Sequence, residues 1–181
     1  MKAEAIIAGR EEEEEGWDEI PKETAAREVF DALLGEARRE VNPKLPSHDD
    51  AVFFWANRST AVYRKSILSH SLYPLVILEA ASTKIPCTLY QADIRLSDGV
   101  FTICYADPYI LAQVVIDGLE PDEEVAISLK EADAIAREYY KSMKPWDGSS
   151  NPDLEILAPC TVPPEAIVFQ PSLLLPFGGH P

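Results

Sequence analysis

The chain has 181 residues, of which 46% are hydrophobic and 26% are charged, and its formal net charge is −15 at pH 7. Such a composition is typical of a globular protein and excludes wholesale disorder, and the length fits one domain with one core. The negative charge makes a broad nucleic-acid groove unfavourable, because phosphate binding depends on clustered Lys and Arg side chains.

The two ends differ in composition from the middle. We predict an acidic, partly flexible N-terminal segment over residues 1–23, a single α+β domain over residues 24–170, and an irregular tail over residues 171–181 that is rich in Pro and Gly. No stretch approaches the roughly 20 apolar residues that span a bilayer, and the start lacks the pattern of a signal peptide. We therefore predict a cytoplasmic protein that does not enter a membrane.

The first half of the domain shows a helix followed by mixed elements. From Thr24, apolar residues recur at the i, i+3, i+4 spacing and predict a helix that ends before Pro43. Residues 51–56 form an apolar, aromatic run that predicts a buried strand, and residues 61–71 fit a short helix. Residues 72–80 and 88–96 look like strands.

The second half adds a turn, two helices and two strands. Ser97 to Gly99 predicts a turn, with residues 100–105 as the returning strand. Asp107 and Pro108 predict a helix start, in which Asp caps the free amides, and Gly118 predicts its end. Ser128 to Glu131 has the form of a capping box before a long amphipathic helix. Residues 154–158 and 166–169 complete the strands of an α+β fold.

Cysteine and histidine usage predicts neither a disulfide framework nor a metal site. The three cysteines are odd in number, far apart and outside any C-x-x-C motif, and we expect all of them to be buried, small apolar residues. Two histidines are separated by a strand and a helix and lack a third ligand, and the last histidine lies in the tail. These residues are Cys87, Cys104, Cys160, His48, His70 and His180.

The charge is distributed unevenly. Residues 1–40 hold 13 acidic and 6 basic residues, and residues 119–157 hold 10 acidic and 4 basic ones. Residues 41–84 reverse this balance, with 5 basic residues against 3 acidic ones. A small anionic ligand near residues 48–65 would meet the most favourable potential there. The alternative is that these bases form an ordinary solvated surface.

One segment near the C-terminus resembles a known family. Glu155-Ile156-Leu157, followed by Val162-Pro163-Pro164 and Ile167, is similar to the "glutamate, aliphatic, aliphatic, then V-P-P-x-x-I" segment of ADP-ribosyltransferase-like proteins. The resemblance implies a split β-sheet with flanking helices and NAD as substrate, with no metal. It also implies that Glu155 is the catalytic carboxylate, which would stabilise the cationic sugar that develops as nicotinamide leaves.

A second segment, His48 to Tyr63, looks like the "V-P-F-Y-F-x-x-R-S-P-M-L-Y" stretch of DNA-targeting ADP-ribosyltransferase toxins. The resemblance implies that Arg58 and Ser59 contact the NAD pyrophosphate, since Arg forms charge-assisted hydrogen bonds to phosphates. Tyr63 would stack on the nicotinamide and Arg64 would contact a phosphate. Residues 1–40 lack the family's opening histidine, so either NAD is held differently or the fold is present without the reaction.

The same charge pattern is also compatible with a non-enzymatic function. A non-catalytic protein, such as an antitoxin, an immunity protein or a mimic, would use its acidic flanks to bind a basic protein partner. The acidic runs Glu11 to Glu15 and Pro121 to Glu124 would be its contacts. An acidic surface that serves only solubility is a third alternative.

Overall fold

The computed structural model describes Trp17 and residues 20–62 and 78–168. Several predictions therefore lie outside the described residues. These are the roles of Tyr63 and Arg64, most of the N-terminal segment at residues 1–23 with its acidic run at 11–15, most of the predicted helix at 61–71, most of the predicted strand at 72–80, and the predicted tail at 171–181.

The described residues form four complete α-helices, a helical stretch at residues 58–62, and six short strands. The helices are α1 (Lys22–Val41), α2 (Ile94–Ala106), α3 (Pro108–Val115) and α4 (Glu123–Ser142). The strands are β1 (Val52–Trp55), β2 (Glu79–Ala80), β3 (Tyr90–Asp93), β4 (Lys144–Pro145), β5 (Leu154–Ala158) and β6 (Ile167–Val168). None of the helices in these ranges is long and apolar enough to cross a membrane.

The strands form two antiparallel sheets. One sheet has the order β1-β5-β3-β4, and the other pairs β2 with β6. The predicted α+β class is thus confirmed, whereas the split sheet of ADP-ribosyltransferase-like proteins stays a prediction.

The helices cover one face of the four-stranded sheet. Helix α1 packs against the other three helices, and the main core joins them to Ala92 of β3 and Leu157 of β5. The apolar stripe predicted for α1 is confirmed, since seven residues of this helix are buried: Ala25, Ala26, Val29, Phe30, Leu33, Leu34 and Ala37. The sheet therefore has a helix-covered face and an opposite face, and the latter lines the candidate site.

Helix α4 begins earlier than the capping box predicted. Its N-cap is Asp122, whose carboxylate accepts a hydrogen bond of 2.9 Å from the Val125 amide. Glu123 and Glu124 lie in the first turn and stabilise the helix, because their negative charge is near the positive end of the helix macrodipole. Ser128 consequently lies inside the helix rather than at its start. The predicted apolar face is confirmed by the buried side chains of Ala132, Ala136, Tyr139, Tyr140 and Met143.

The predicted turn and returning strand at residues 97–105 are wrong, because this stretch belongs to helix α2. The Asp93 side chain caps the helix by accepting a hydrogen bond of 3.0 Å from the Arg95 amide. Ile94, Ser97, Val100 and Cys104 recur at helical spacing and form its buried face. The β-branched residues suggested a strand, but packing against the core overrides such local propensity.

Two smaller predictions also need correction. Strand β1 is half-exposed rather than buried, because it lies at the edge of its sheet and both Val52 and Trp55 are exposed. Asp107 precedes helix α3, but its side chain makes no capping hydrogen bond. Pro108 occupies the first turn as predicted, and Gly118 adopts a φ of +76° after the helix ends.

The prediction for the cysteines is correct only for Cys104. Cys104 is free and buried, and burial raises the pKa of its thiol to about 12. Cys87 and Cys160 instead form a disulfide, although 73 positions separate them. They meet because Cys87 precedes β3 and Cys160 follows β5, and these antiparallel neighbours pair Tyr90 with Leu157. A disulfide that closes a loop of this length stabilises the folded state by roughly 4 kcal/mol, because it lowers the conformational entropy of the unfolded chain.

Replacing Gly99 by Ala tests the assignment of α2. Gly99 lies inside the helix, and an added Cβ would meet Ile135 of α4 at 3.7 Å, an ordinary van der Waals distance. We expect Gly99→Ala to raise the free energy of unfolding by about 0.5–1 kcal/mol, because Ala favours a helix over Gly. Chemical denaturation measures this change.

Gly118→Ala is the matched control. Gly118 has a positive φ that L-residues rarely adopt, so the same substitution there should lower stability. A loss of stability in Gly99→Ala would contradict the helical assignment of residues 97–105.

Candidate functional site

A cavity of about 590 Å³ lies on the sheet face opposite the helices. Phe54 of β1 and Ile156 of β5 are paired in register and both line it. Their sequence neighbours Phe53 and Leu157 face the helical core, as the alternation of side chains along strands requires. Residues from β2 and β6 also line the cavity, so it is bounded by both sheets.

The walls of the cavity are mainly apolar and include four aromatic residues, Phe53, Phe54, Trp55 and Trp146. Trp146 is fixed in place, because its backbone amide donates to the Leu89 carbonyl oxygen at 2.8 Å and its indole Nε1 donates to the Ser149 carbonyl oxygen at 3.0 Å. The apolar lining residues with described positions include Phe54, Ala61, Ile85, Leu89, Trp146, Ile156 and Val162. Such a lining suits a flat or aliphatic part of a ligand.

The polar lining residues lie at the end of β1 and around β2. They are Asn57, Arg58, Glu79 and Ser82. Asn57 holds this end of β1, since its Oδ1 accepts a hydrogen bond of 2.9 Å from the Thr60 amide and its Nδ2 donates to the Ser150 carbonyl oxygen at 3.0 Å.

Arg58 is the predicted site residue that lines the cavity. It follows Asn57 and opens the helical stretch over residues 58–62. Its side chain is exposed and makes no hydrogen bond or ion pair with other residues in the described part of the chain. The neighbouring Ser59 is also exposed but does not line the cavity.

Glu155 lies on the other face of the sheet. It pairs with Trp55 of β1 and Ala92 of β3, and its side chain is only 6% exposed. The buried Ser97 hydroxyl of helix α2 lies 3.1 Å from its Oε1 and 3.0 Å from the Ile94 carbonyl oxygen. Because a hydroxyl has one hydrogen, it can donate to one of these acceptors at a time. The structure therefore does not bring Glu155 and Arg58 together.

Tyr139 of helix α4 is electrostatically coupled to Glu155. Burial raises the pKa of the Tyr139 hydroxyl well above its ordinary value, and the charge of the Glu155 carboxylate raises it further. Glu155, Ser97 and Tyr139 thus form a polar group inside the helix-covered side of the sheet. Buried polar groups of this kind are costly unless they are hydrogen-bonded, which gives Glu155 a structural role.

Sequence reasoning missed most of the cavity. The aromatic run at residues 53–55 was visible, but strand alternation directs Phe53 and Phe54 to opposite faces of the sheet, so the run alone does not reveal which face carries the cavity. Trp146 carried no motif, because its position depends on hydrogen bonds to residues 89 and 149.

No family model matches the chain, and neither a curated protein nor a solved structure matches it. The resemblance to ADP-ribosyltransferase-like proteins therefore stays a prediction from the two short segments.

Replacing Ser97 by Ala tests the structural role of Glu155. The change removes the hydroxyl beside a buried carboxylate, and hydrogen bonds to charged groups contribute about 1.5–3 kcal/mol. We expect Ser97→Ala to lower the free energy of unfolding by this amount. The loss should be smaller when it is measured in the Glu155→Gln background, because the amide is neutral.

Thr102→Ala is the control in the same helix. The Thr102 hydroxyl is exposed and donates to the Asp98 carbonyl oxygen at 2.8 Å. Its loss should change stability by less than about 0.5 kcal/mol, as is usual at the surface. Equal losses in the two variants would mean that the contact between Ser97 and Glu155 does not stabilise the fold.

Proposed function

We propose that the chain binds a small ligand with a flat apolar part and an anionic group in the cavity, and that this ligand is NAD. The observation that carries the proposal is the position of Arg58, a cation on the rim of an aromatic-lined cavity with no ionic partner among the described residues. Arg58 also lies in residues 41–84, the part of the sequence in which basic residues outnumber acidic ones.

The size and lining of the cavity support a small-molecule ligand. Ligand cavities are usually about 300–1,000 Å³, with apolar and aromatic walls and a few polar groups, and 590 Å³ falls inside this range. Phe54 and Trp146 can stack on flat rings. Arg58 can form charge-assisted hydrogen bonds to phosphate oxygens.

Glu79 on the same rim narrows the choice of ligand. A carboxylate repels a purely anionic compound but accepts hydrogen bonds from amide or amino groups. NAD combines a pyrophosphate with an amide, an amino group and a positively charged nicotinamide ring. A dinucleotide of this kind therefore suits a rim that presents both Arg58 and Glu79.

Transfer of ADP-ribose to an acceptor, with Glu155 as the catalytic carboxylate, is the finer proposal that the resemblance suggests. The position of Glu155 does not support it, because the carboxylate faces the helices while the cavity lies on the opposite face of the sheet. The geometry therefore supports NAD binding rather than the transfer step.

Arg58→Gln tests the binding proposal. Removing a charge-assisted contact of about 1.5–3 kcal/mol should weaken NAD binding by about 10- to 100-fold in calorimetry. Lys44→Gln is the control, since it removes the same charge from an exposed position outside the cavity lining. Absence of NAD binding by the unmodified protein, or equal affinity in the two variants, would refute the proposal.

Glu155→Gln separates binding from catalysis in the same experiment. We expect its NAD affinity to match that of the unmodified protein, because the side chain lies on the other face of the sheet. Nicotinamide release that depends on Glu155 would instead support the transfer reaction and contradict the structural role given to this residue.

A partner-binding function is the second candidate, and the surface around the start of α4 favours it. Leu119 and Ile127 are 55% and 62% exposed. Glu123 precedes Ile127 by four residues on the same helix face, and Glu124 precedes it by three. Apolar side chains surrounded by acids suit a basic, amphipathic protein segment.

Neutralising the acids tests this candidate. Glu123→Gln combined with Glu124→Gln should weaken capture of a basic amphipathic peptide in a pulldown, and Ile127→Ser should weaken it further. Glu23→Gln with Glu36→Gln makes the same charge change at two exposed positions of α1 and serves as the control. Equal capture by both pairs would count against this surface.

A further inference from the structure

His48 is a buried polar side chain surrounded by aromatic rings. It lies between α1 and β1 and is 6% exposed. Its ring centroid is 4.9 Å from that of Phe30, 4.4 Å from that of Phe53 and 6.1 Å from that of Tyr139. These contacts fix the plane of the imidazole and therefore the direction in which its Nδ1 points.

The Nδ1 atom of His48 points toward a carboxylate oxygen without bonding to it. Asp31 of α1 places its Oδ1 at 3.9 Å from Nδ1, which is too far for a hydrogen bond. Within the described ranges, both atoms are buried and neither has a hydrogen-bond partner. Two unsatisfied buried polar atoms that face each other are unfavourable unless something lies between them.

Asp49 brings a second carboxylate to the same place. One ligand atom from each of Asp31, His48 and Asp49 can be chosen so that all lie within 4.8 Å of one another. Arg27 pairs through its Nε with Asp31 Oδ2 at 3.4 Å and so leaves Oδ1 available.

Burial also shifts the pKa values of these three groups. Burial and, to a smaller extent, the positive charge of Arg27 together lower the pKa of His48 to about 3. Burial raises the pKa of Asp31 to about 6 although Arg27 opposes the rise, and burial with the Asp50 carboxylate raises the pKa of Asp49.

We propose that Asp31, His48 and Asp49 form a binding site for a divalent transition-metal ion, with Zn²⁺ as the preferred ion. This site is separate from the cavity at Arg58 and does not depend on the proposed NAD binding.

The distances fit one ion between the side chains. Zn²⁺ bonds to imidazole nitrogen and carboxylate oxygen are about 2.0–2.2 Å long, so two such bonds span about 3.4 Å at the tetrahedral angle and at most about 4.3 Å in a straight line. The 3.9 Å between His48 Nδ1 and Asp31 Oδ1 is within that span. Asp49 is exposed and can close the remaining distance by side-chain rotation.

The ligand set favours zinc over the alkaline-earth ions. An imidazole nitrogen suits Zn²⁺ and its neighbours in the first transition row, whereas Mg²⁺ and Ca²⁺ prefer sites made only of oxygen. Three protein ligands leave one position of a tetrahedral ion for water.

Calorimetry of the full chain with ZnCl₂ and with MgCl₂ tests the site. We expect one Zn²⁺ per chain and no comparable binding of Mg²⁺. His48→Phe keeps an aromatic ring in the core, and Asp49→Asn alters only an exposed side chain, so at least the second variant should fold. Each should weaken zinc binding by more than about 100-fold, which is the upper end of losses seen for outer-shell partners alone.

Asp50→Asn is the matched control, because it removes the same charge from the next residue, which is not one of the three ligands. It should bind zinc as the unmodified protein does. Zinc at a hundredfold excess over its dissociation constant should also raise the melting temperature by roughly 5–10 °C, and Asp49→Asn should abolish that rise.

Two results would overturn the proposal. The first is the absence of zinc binding by the unmodified chain, which would mean that His48 and Asp31 approach each other without holding an ion between them. The second is equal zinc affinity in the unmodified chain, His48→Phe and Asp49→Asn, which would place the ion at other acidic or histidine side chains.

Discussion

The interior position of strand β5 is the constraint on which the rest of the structure depends. It pairs with β1 on one side and β3 on the other, so its backbone amides and carbonyls form hydrogen bonds within the sheet. Its side chains alternate between the two faces of that sheet. Glu155 and Leu157 face the helices, whereas Ile156 faces the cavity. A shift of this register by one residue would exchange the two sets, so the same pairing determines both the core and the candidate site.

The elements that were predicted well from the sequence are those in which the apolar pattern repeats over many residues. Helices α1 and α4 each run for 20 residues, and their apolar stripes repeat often enough to outweigh local exceptions. Helix α2 failed the same reasoning because it has 13 residues, a central glycine and several β-branched side chains. Its helical state depends on the Asp93 cap and on the burial of Val100 and Cys104 in the main core, neither of which local propensity contains.

The sites were harder to predict because their residues meet only after folding. Strand β5 was predicted correctly, but nothing in Leu154 to Ala158 says which face the helices cover, and Glu155 was accordingly placed at a cofactor rather than beside Ser97. The disulfide of Cys87 and Cys160 follows from the pairing of β3 with β5. Asp31 and His48 likewise lie 17 positions apart with no shared motif. Arg58, which the family resemblance singled out within the stretch of positive charge balance, lines the cavity, and its role in binding stays a prediction.

Strand β1 connects the cavity to the cluster of Asp31, His48 and Asp49. Phe53 contacts the His48 ring at 4.4 Å, and the next residue, Phe54, lines the cavity on the opposite face. Contiguous packing of this kind transmits an effect only if the shared element has two arrangements that the two sites favour differently. The pairing of β1 with β5 over all four residues opposes such a rearrangement. The two sites should therefore act independently as long as β1 keeps its register.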